Sequence, residues 1–176
     1  MKIKDKQFRI YIPEAEIQAI VKDVALQVSR DYQGRDLVVC PILTGAFMFA
    51  SDLVKQLTVP CEVSFVRYAS YSGMSSTGTV RCMLPFPPDI EGRDVLIVED
   101  VVDSGLSMRH MLAAVHALRP ASVRICSLFF KPGAFKGDYK VDYIGCNIGN
   151  EFIVGYGLDY DEQGRTLKEI YVLDQQ

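Results

Sequence analysis

Glu99 and Asp100 follow the apolar run Val95–Val98, and two valines later Asp103, Ser104, Gly105, Leu106 and Ser107 form a small, hydroxyl-rich turn. Adjacent carboxylates accept hydrogen bonds from sugar hydroxyls or share a cation. The turn leads into Met108, Met111, Leu112, Val115 and Leu118, a spacing that puts apolar side chains on one face of a helix. A helix start leaves amide hydrogens unpaired and carries partial positive charge, so it suits a phosphate, and Gly105 removes a side chain from its approach. Acids beside a phosphate cradle describe a site for a sugar phosphate. Asp103 and Ser104 also suit helix caps, worth about 1 kcal/mol. Capping accounts for neither Glu99 nor Asp100.

Further candidates lie elsewhere in the chain. Leu43, Thr44 and Gly45 lie at the end of a second apolar run, Leu37–Leu43, and read equally well as an ordinary tight turn. Arg67, Ser70 and Tyr71 flank the start of the stretch 69–79, whose six Ser or Thr residues and two glycines mark a loop with few apolar anchors. Lys131 ends the apolar stretch Ser122–Phe130, where an ammonium either donates to a ligand or is simply solvated. Phe152 and Ile153 open a run that by itself suits core packing, and Asp159 and Arg165 lie in a turn-rich segment. His110 and His116 are six residues apart on the helix face and share no ligand.

These groups need a rigid support. Pro13 suits the first turn of a helix with Ile17, Ile20, Val21, Val24 and Val28 on one face, ending near Tyr32. Phe47–Leu57 reads as the helix after the strand at 37–43, and 62–68 and 80–84 as further strands. The central strand spans 94–99, and unbroken apolar strands of this kind are buried on both faces of a parallel sheet. Strands alternate with helices over 13–130, which predicts an α/β fold, a mostly parallel central sheet with helices on both faces. Strand candidates at 143–148, 152–157 and 170–173 are too irregular for another such unit. One domain over 1–176 is expected, with a core at about 13–142 and a small strand-rich hood, from 1–12 and 143–176, over the sheet's carboxyl edge, where ligands bind in open α/β folds.

A chain of 176 residues that is 49% hydrophobic fills one globular domain. A net charge of −3 argues against nucleic acid as the main partner. No run approaches the roughly 20 apolar residues of a membrane span, and Met1–Lys6 lacks the apolar block of a secretory signal, so no membrane partner and a cytoplasmic location are expected. Cys40, Cys61, Cys82, Cys126 and Cys146 are isolated and odd in number, which suggests reduced thiols.

Two acids after a hydrophobic strand, followed by Asp-Ser-Gly-Leu-Ser, resemble the phosphoribosyl-pyrophosphate motif of type I phosphoribosyltransferases. The resemblance implies that fold, with Glu99 and Asp100 on the ribose hydroxyls and Asp103–Ser107 on the 5′-phosphate. Over most of its length the chain is similar to the hypoxanthine-guanine branch of that family. This implies pyrophosphate binding by Leu43, Thr44, Gly45, Arg67 and Arg165, with a cis bond between Leu43 and Thr44. It implies a loop carrying Ser70 and Tyr71 that closes over the site. Lys131 would bond a purine 6-oxo oxygen, Phe152 would stack on the base, and the Ile153 backbone would meet the base edge. Asp159 would serve the purine side and, with Glu99 and Asp100, a Mg²⁺ ion, while Asp103 would act as general base. Glu151 departs from the lysine of some members.

The implied reaction is phosphoribosyl transfer from phosphoribosyl pyrophosphate to hypoxanthine or guanine, giving IMP or GMP and pyrophosphate in purine salvage by a homodimer or homotetramer. Two alternatives remain: a phosphoribosyl-pyrophosphate-sensing regulatory protein, and a phosphoacceptor receiver domain.

Overall fold

Strand-length apolar runs alternate with amphipathic helices in the computed structural model, which describes residues 1–70 and 80–174. The elements are β1 (Lys2–Ile3), β2 (Lys6–Ile12), α1 (Glu14–Asp31), β3 (Leu37–Pro41), α2 (Phe47–Gln56), β4 (Cys61–Val63) and β5 (Arg67–Ser70). There follow β6 (Val80–Leu84), β7 (Asp94–Val102), α3 (Leu106–His116), β8 (Ser122–Phe130), β9 (Tyr143–Asn147), β10 (Ile153–Val154) and β11 (Ile170–Leu173). Tyr71 and the side chain of Ser70 lie outside the described residues.

The main sheet is parallel, in the order β4-β3-β7-β8-β9. The stretches Leu37–Cys40 of β3 and Val95–Val98 of β7 are apolar because both faces of the sheet are covered there. Val39, Leu96 and Val98 pack with α1 and α2, while Val38, Cys40, Val95 and Ile97 pack with Met108, Met111 and Val115 of α3. From β3 the chain continues to β4 on one side, and from β7 to β8 on the other. The connections leaving β3 and β7 therefore diverge and open a crevice at the strands' carboxyl ends, the switch point at which such folds bind ligands.

The chain ends build a second, antiparallel sheet, β1-β2-β11-β10. Ile3, Phe8, Val154 and Tyr171 form its own apolar cluster, whereas Ile12, Ile153, Ile170 and Val172 join the main core. The fold is thus the α/β arrangement with a strand-rich hood that the sequence pattern predicts.

Several boundaries differ from expectation: Ala69 and Ser70, expected in a loop, pair in β5, and the strand expected over 152–157 is only Ile153–Val154. The strand predicted over 62–68 is split into β4 and β5, with Val66 bridging Ile42 between them. Tyr143–Asn147 is not part of the hood but pairs in parallel with β8. Finally, β7 runs past Glu99 to Val102, because β8 keeps pairing as far as Val102↔Phe130 after β3 has stopped at Pro41↔Val98. Glu99 and Asp100 therefore sit within a strand, at the point where it loses one neighbour.

Candidate active site

Beyond its last pair, Pro41↔Val98, β3 turns away into residues 42–46, which lead into α2. Ile42 N–H still donates to Val98 O (2.9 Å), and Leu43 N–H donates to Val66 O (2.8 Å), so this turn is held between β7 and the approach to Arg67. The Leu43–Thr44 peptide bond is cis, as the resemblance implies. A Cβ on Gly45 would overlap the Asp100 carboxylate, and one on Gly157, at φ +101°, would overlap the Gly45 carbonyl. Only glycine allows these backbones to lie so close to each other and to the acid. The turn is thus layered between the acidic pair and the hood.

Glu99 and Asp100 are part-buried. Burial, then the neighbouring Asp100 charge, pushes the Glu99 carboxyl well above its usual range. Burial also raises Asp100, against the pull of hydrogen bonds from Glu99 and the Val101 N–H and of the Arg165 charge. Two desolvated carboxylates side by side are chemically suited to a divalent cation, which offsets their repulsion. Mg²⁺ typically takes one or two carboxylates and completes its shell with water and substrate phosphate, so this donor set fits it. Among the described residues no group of three or more His, Cys, Asp or Glu side chains forms a metal cluster. Asp159, implied as a third ligand, also holds its own turn together. Its Oδ1 lies 2.9 Å from Arg165 and its Oδ2 accepts from Glu162 N–H (2.8 Å).

Arg165 clasps this turn. Besides Asp159 it reaches Glu162 (3.1 Å) and donates to the Gly157 carbonyl (3.0 Å), while the Gly157 N–H returns to the Arg165 carbonyl (2.9 Å). The guanidinium is therefore aimed beside Gly45 through Gly157. Arg67 is exposed at the start of β5.

On the other side of the crevice, Asp103, Ser104, Gly105 and Ser107 line a cavity of about 100 Å³ together with Glu99, Val101, Val102, Met108 and Tyr139. Gly105 adopts φ +74° immediately before α3. Leu106, at the first position of that helix, is 50% exposed, so its side chain serves no packing need that would restrict the turn. Ser127, fully buried, accepts from the Val102 N–H (3.2 Å) and donates to the Phe129 carbonyl (2.6 Å), fixing the strand just before the turn.

Lys131 N–H donates to Val102 O (3.0 Å), which extends the β7–β8 pairing by one step and sets Lys131 beside Asp103. Its Nζ lies 3.0 Å from Asp103 Oδ2. The lysine is buried, so the solvated reading of a strand-end lysine fails.

Phe152 does not pack as a core residue. It is 44% exposed, with Phe8 and Tyr160 at centroid distances of 6.4 and 5.8 Å on its flanks. Leu173 N–H donates to Phe152 O (3.1 Å), which makes the Ile153↔Val172 pair the non-hydrogen-bonded kind. Because β10 is the edge of its sheet, the Ile153 N–H and C=O point outward, free to meet a ligand.

Sequence patterns did not single out Tyr139, Phe135, Lys136 or Ser127. The first three belong to the polar stretch after Lys131, where two aromatics four residues apart require cover. The structure supplies it at Gly105, where a Cβ would meet both Tyr139 and Phe135.

A family model described as phosphoribosyl transferase domain matches residues 13–161. A hypoxanthine-guanine phosphoribosyltransferase of Mycobacterium tuberculosis is 41% identical over 172 residues, covering 94% of this chain and 85% of that protein. A hypoxanthine phosphoribosyltransferase of Escherichia coli is 40% identical over 164 residues, covering 92% of each. Among solved structures, a hypoxanthine phosphoribosyltransferase from Staphylococcus aureus has a TM-score of 0.90 at 37% identity, covering 97% of this chain and 92% of that one.

Proposed function

This chain belongs to the phosphoribosyl transferase family, and from that premise we propose that it transfers the 5-phosphoribosyl group of phosphoribosyl pyrophosphate to a 6-oxopurine, hypoxanthine or guanine. The products are IMP or GMP and pyrophosphate, a purine salvage reaction. The observation that carries this reading is the Lys131–Asp103 pair, 3.0 Å apart, which joins the end of β8 to the phosphate-type turn that follows β7.

The ribose hydroxyls meet Glu99 and Asp100, and the 5′-phosphate lies in the turn Asp103–Ser107, whose amides and hydroxyls donate to it. Pyrophosphate is held by the Leu43, Thr44 and Gly45 backbone with Arg67 and Arg165; Asp159 orients Arg165. The base stacks on Phe152, its edge meets the Ile153 backbone, and its 6-oxo oxygen accepts from Lys131. Ser70, the last residue of β5, and Tyr71 flank the start of a loop proposed to close over the reacting carbon and exclude water.

A new bond forms between a purine ring nitrogen and ribose C1′ as the bond from C1′ to the pyrophosphate oxygen breaks, and pyrophosphate leaves with the electron pair. Arg165 and Arg67 stabilise the negative charge that develops on it. Asp103 takes the proton displaced from the base, a step general bases accelerate by roughly 10²–10⁴-fold. When bound at Glu99 and Asp100, Mg²⁺ would supply charge neutralisation to the departing pyrophosphate. Binding the base draws Lys131 from Asp103 to the 6-oxo oxygen, which frees the carboxylate for the proton.

Family membership and close relatives named for transfer favour this reading over a regulatory sensor or a receiver domain. Cytoplasmic location and a homodimeric or homotetrameric assembly form part of the same proposal. The test supplies phosphoribosyl pyrophosphate and Mg²⁺ with hypoxanthine, guanine, xanthine or adenine separately. Nucleotide and pyrophosphate should appear in equal amounts with a 6-oxopurine. No nucleotide with any base defeats the reading.

A further inference from the structure

The stretch after Lys131 folds back on the phosphate turn and holds it at two consecutive carbonyls. Lys136 N–H donates to Ser104 O (3.0 Å), and the Tyr139 hydroxyl donates to Gly105 O (3.0 Å). In a planar trans peptide the carbonyl and the following N–H point in opposite directions. Tethering Ser104 O and Gly105 O to this stretch therefore aims the Gly105 and Leu106 N–H groups away from it. These are amides at the start of α3, where no earlier turn supplies them with a carbonyl.

The tether is rigid. Tyr139 packs edge-on against Phe135 (centroids 5.3 Å, 89°), and Phe135 against Phe130 at the end of β8 (5.1 Å). The stretch begins with Ala134 and Phe135 N–H groups both donating to the Lys131 carbonyl (3.1 Å). Tyr139 also lines the cavity beside Ser104 and Ser107.

We propose that Tyr139 is a positioning residue for the 5′-phosphate, its hydroxyl fixing the Gly105–Leu106 peptide so that the turn's amides are pre-aimed at the phosphate oxygens. The inference rests on the phosphoribosyl-transfer reading for the identity of the ligand. Burial pushes the Tyr139 hydroxyl up to about 12, so it remains a donor across the neutral range.

Tyr139→Phe removes the hydroxyl and keeps the ring in its aromatic stack. A hydrogen bond to a backbone carbonyl contributes an amount equivalent to about 3- to 10-fold in affinity. The dissociation constants of ribose 5-phosphate and IMP, and the KM for phosphoribosyl pyrophosphate, should rise by that factor. Affinity for pyrophosphate alone, which does not use the turn, should stay within about twofold. Unchanged affinity for ribose 5-phosphate and IMP would overturn the proposal, and so would an equal loss for pyrophosphate, the mark of general damage. Tyr139→Leu provides the second arm: full retention of ribose 5-phosphate affinity in a folded Leu variant also overturns it. Failure of the native protein to form nucleotide would count against the transfer reading, while the ribose 5-phosphate arm still decides the role of Tyr139.

Discussion

Lys131 Nζ lies 3.0 Å from Asp103 Oδ2, with the lysine side chain 9% exposed and the aspartate side chain 54% exposed. A buried ammonium is costly without a partner, so the more accessible carboxylate neutralises it in the free protein. The two groups assigned to the base and its proton thus hold each other until the base arrives. Asp103→Asn should lower kcat by roughly 10²–10⁴-fold while the KM for phosphoribosyl pyrophosphate changes only a few-fold. Steady-state kinetics with saturating base checks this, and equal losses in turnover and binding would assign Asp103 to the phosphate turn alone.

Lys131→Gln should act on the other substrate. A charged donor to the 6-oxo oxygen is worth about 1.5–3 kcal/mol, so the KM for hypoxanthine should rise about 10- to 100-fold with that for phosphoribosyl pyrophosphate nearly constant. Initial rates at varied base concentration measure it.

Gly45→Ala would drive a methyl group into the Asp100 carboxylate. The turn must then shift, and with it the amides meant for pyrophosphate. The value of kcat/KM for phosphoribosyl pyrophosphate should fall by about 10²-fold, a loss of the size that a misplacement of about 1 Å produces. Affinity for the free base should be nearly unaffected. Comparing substrate kinetics with pyrophosphate product inhibition separates the two effects.

Much of this site was legible in sequence because its supports are local. Val95–Val98 announces a strand covered on both faces, and the carboxylates and small turn follow it directly in the chain. Lys131 closes an apolar strand in the same way. The Tyr139 contact was not legible, because it joins residues 34 apart through a hydroxyl and a carbonyl that no periodicity encodes. Nor was the clasp of Arg165 on Gly157, Asp159 and Glu162, which depends on a turn with several residues at positive φ. The extension of β7 past Glu99 was hidden because it depends on how far its neighbour β8 continues.

The hood is anchored to α2 by Asp52, which accepts from Tyr156 Oη (2.7 Å) and Gln18 Nε2 (2.9 Å) and pairs with Lys55 (2.6 Å). Burial raises its carboxyl, but the hydrogen bonds from Lys55, Tyr156 and Gln18 outweigh this and hold it below the ordinary 3.8. The folded protein therefore binds fewer protons here than the unfolded chain. Its contribution is present above about pH 4 and is lost as pH falls through the lowered folded value. Asp52→Asn should cost about 1–2 kcal/mol at pH 7, and its denaturation curve should converge with that of the native protein in strong acid. A gap that persists unchanged to low pH would show that the charge is irrelevant.

The most direct test of phosphoribosyl transfer is a phosphorus NMR time course of the protein with phosphoribosyl pyrophosphate, Mg²⁺ and hypoxanthine. The account predicts that the substrate signals give way to IMP and pyrophosphate in equal amounts, slowly or not at all when adenine replaces hypoxanthine. Phosphoribosyl pyrophosphate that persists, or that yields ribose 5-phosphate without nucleotide, would contradict it.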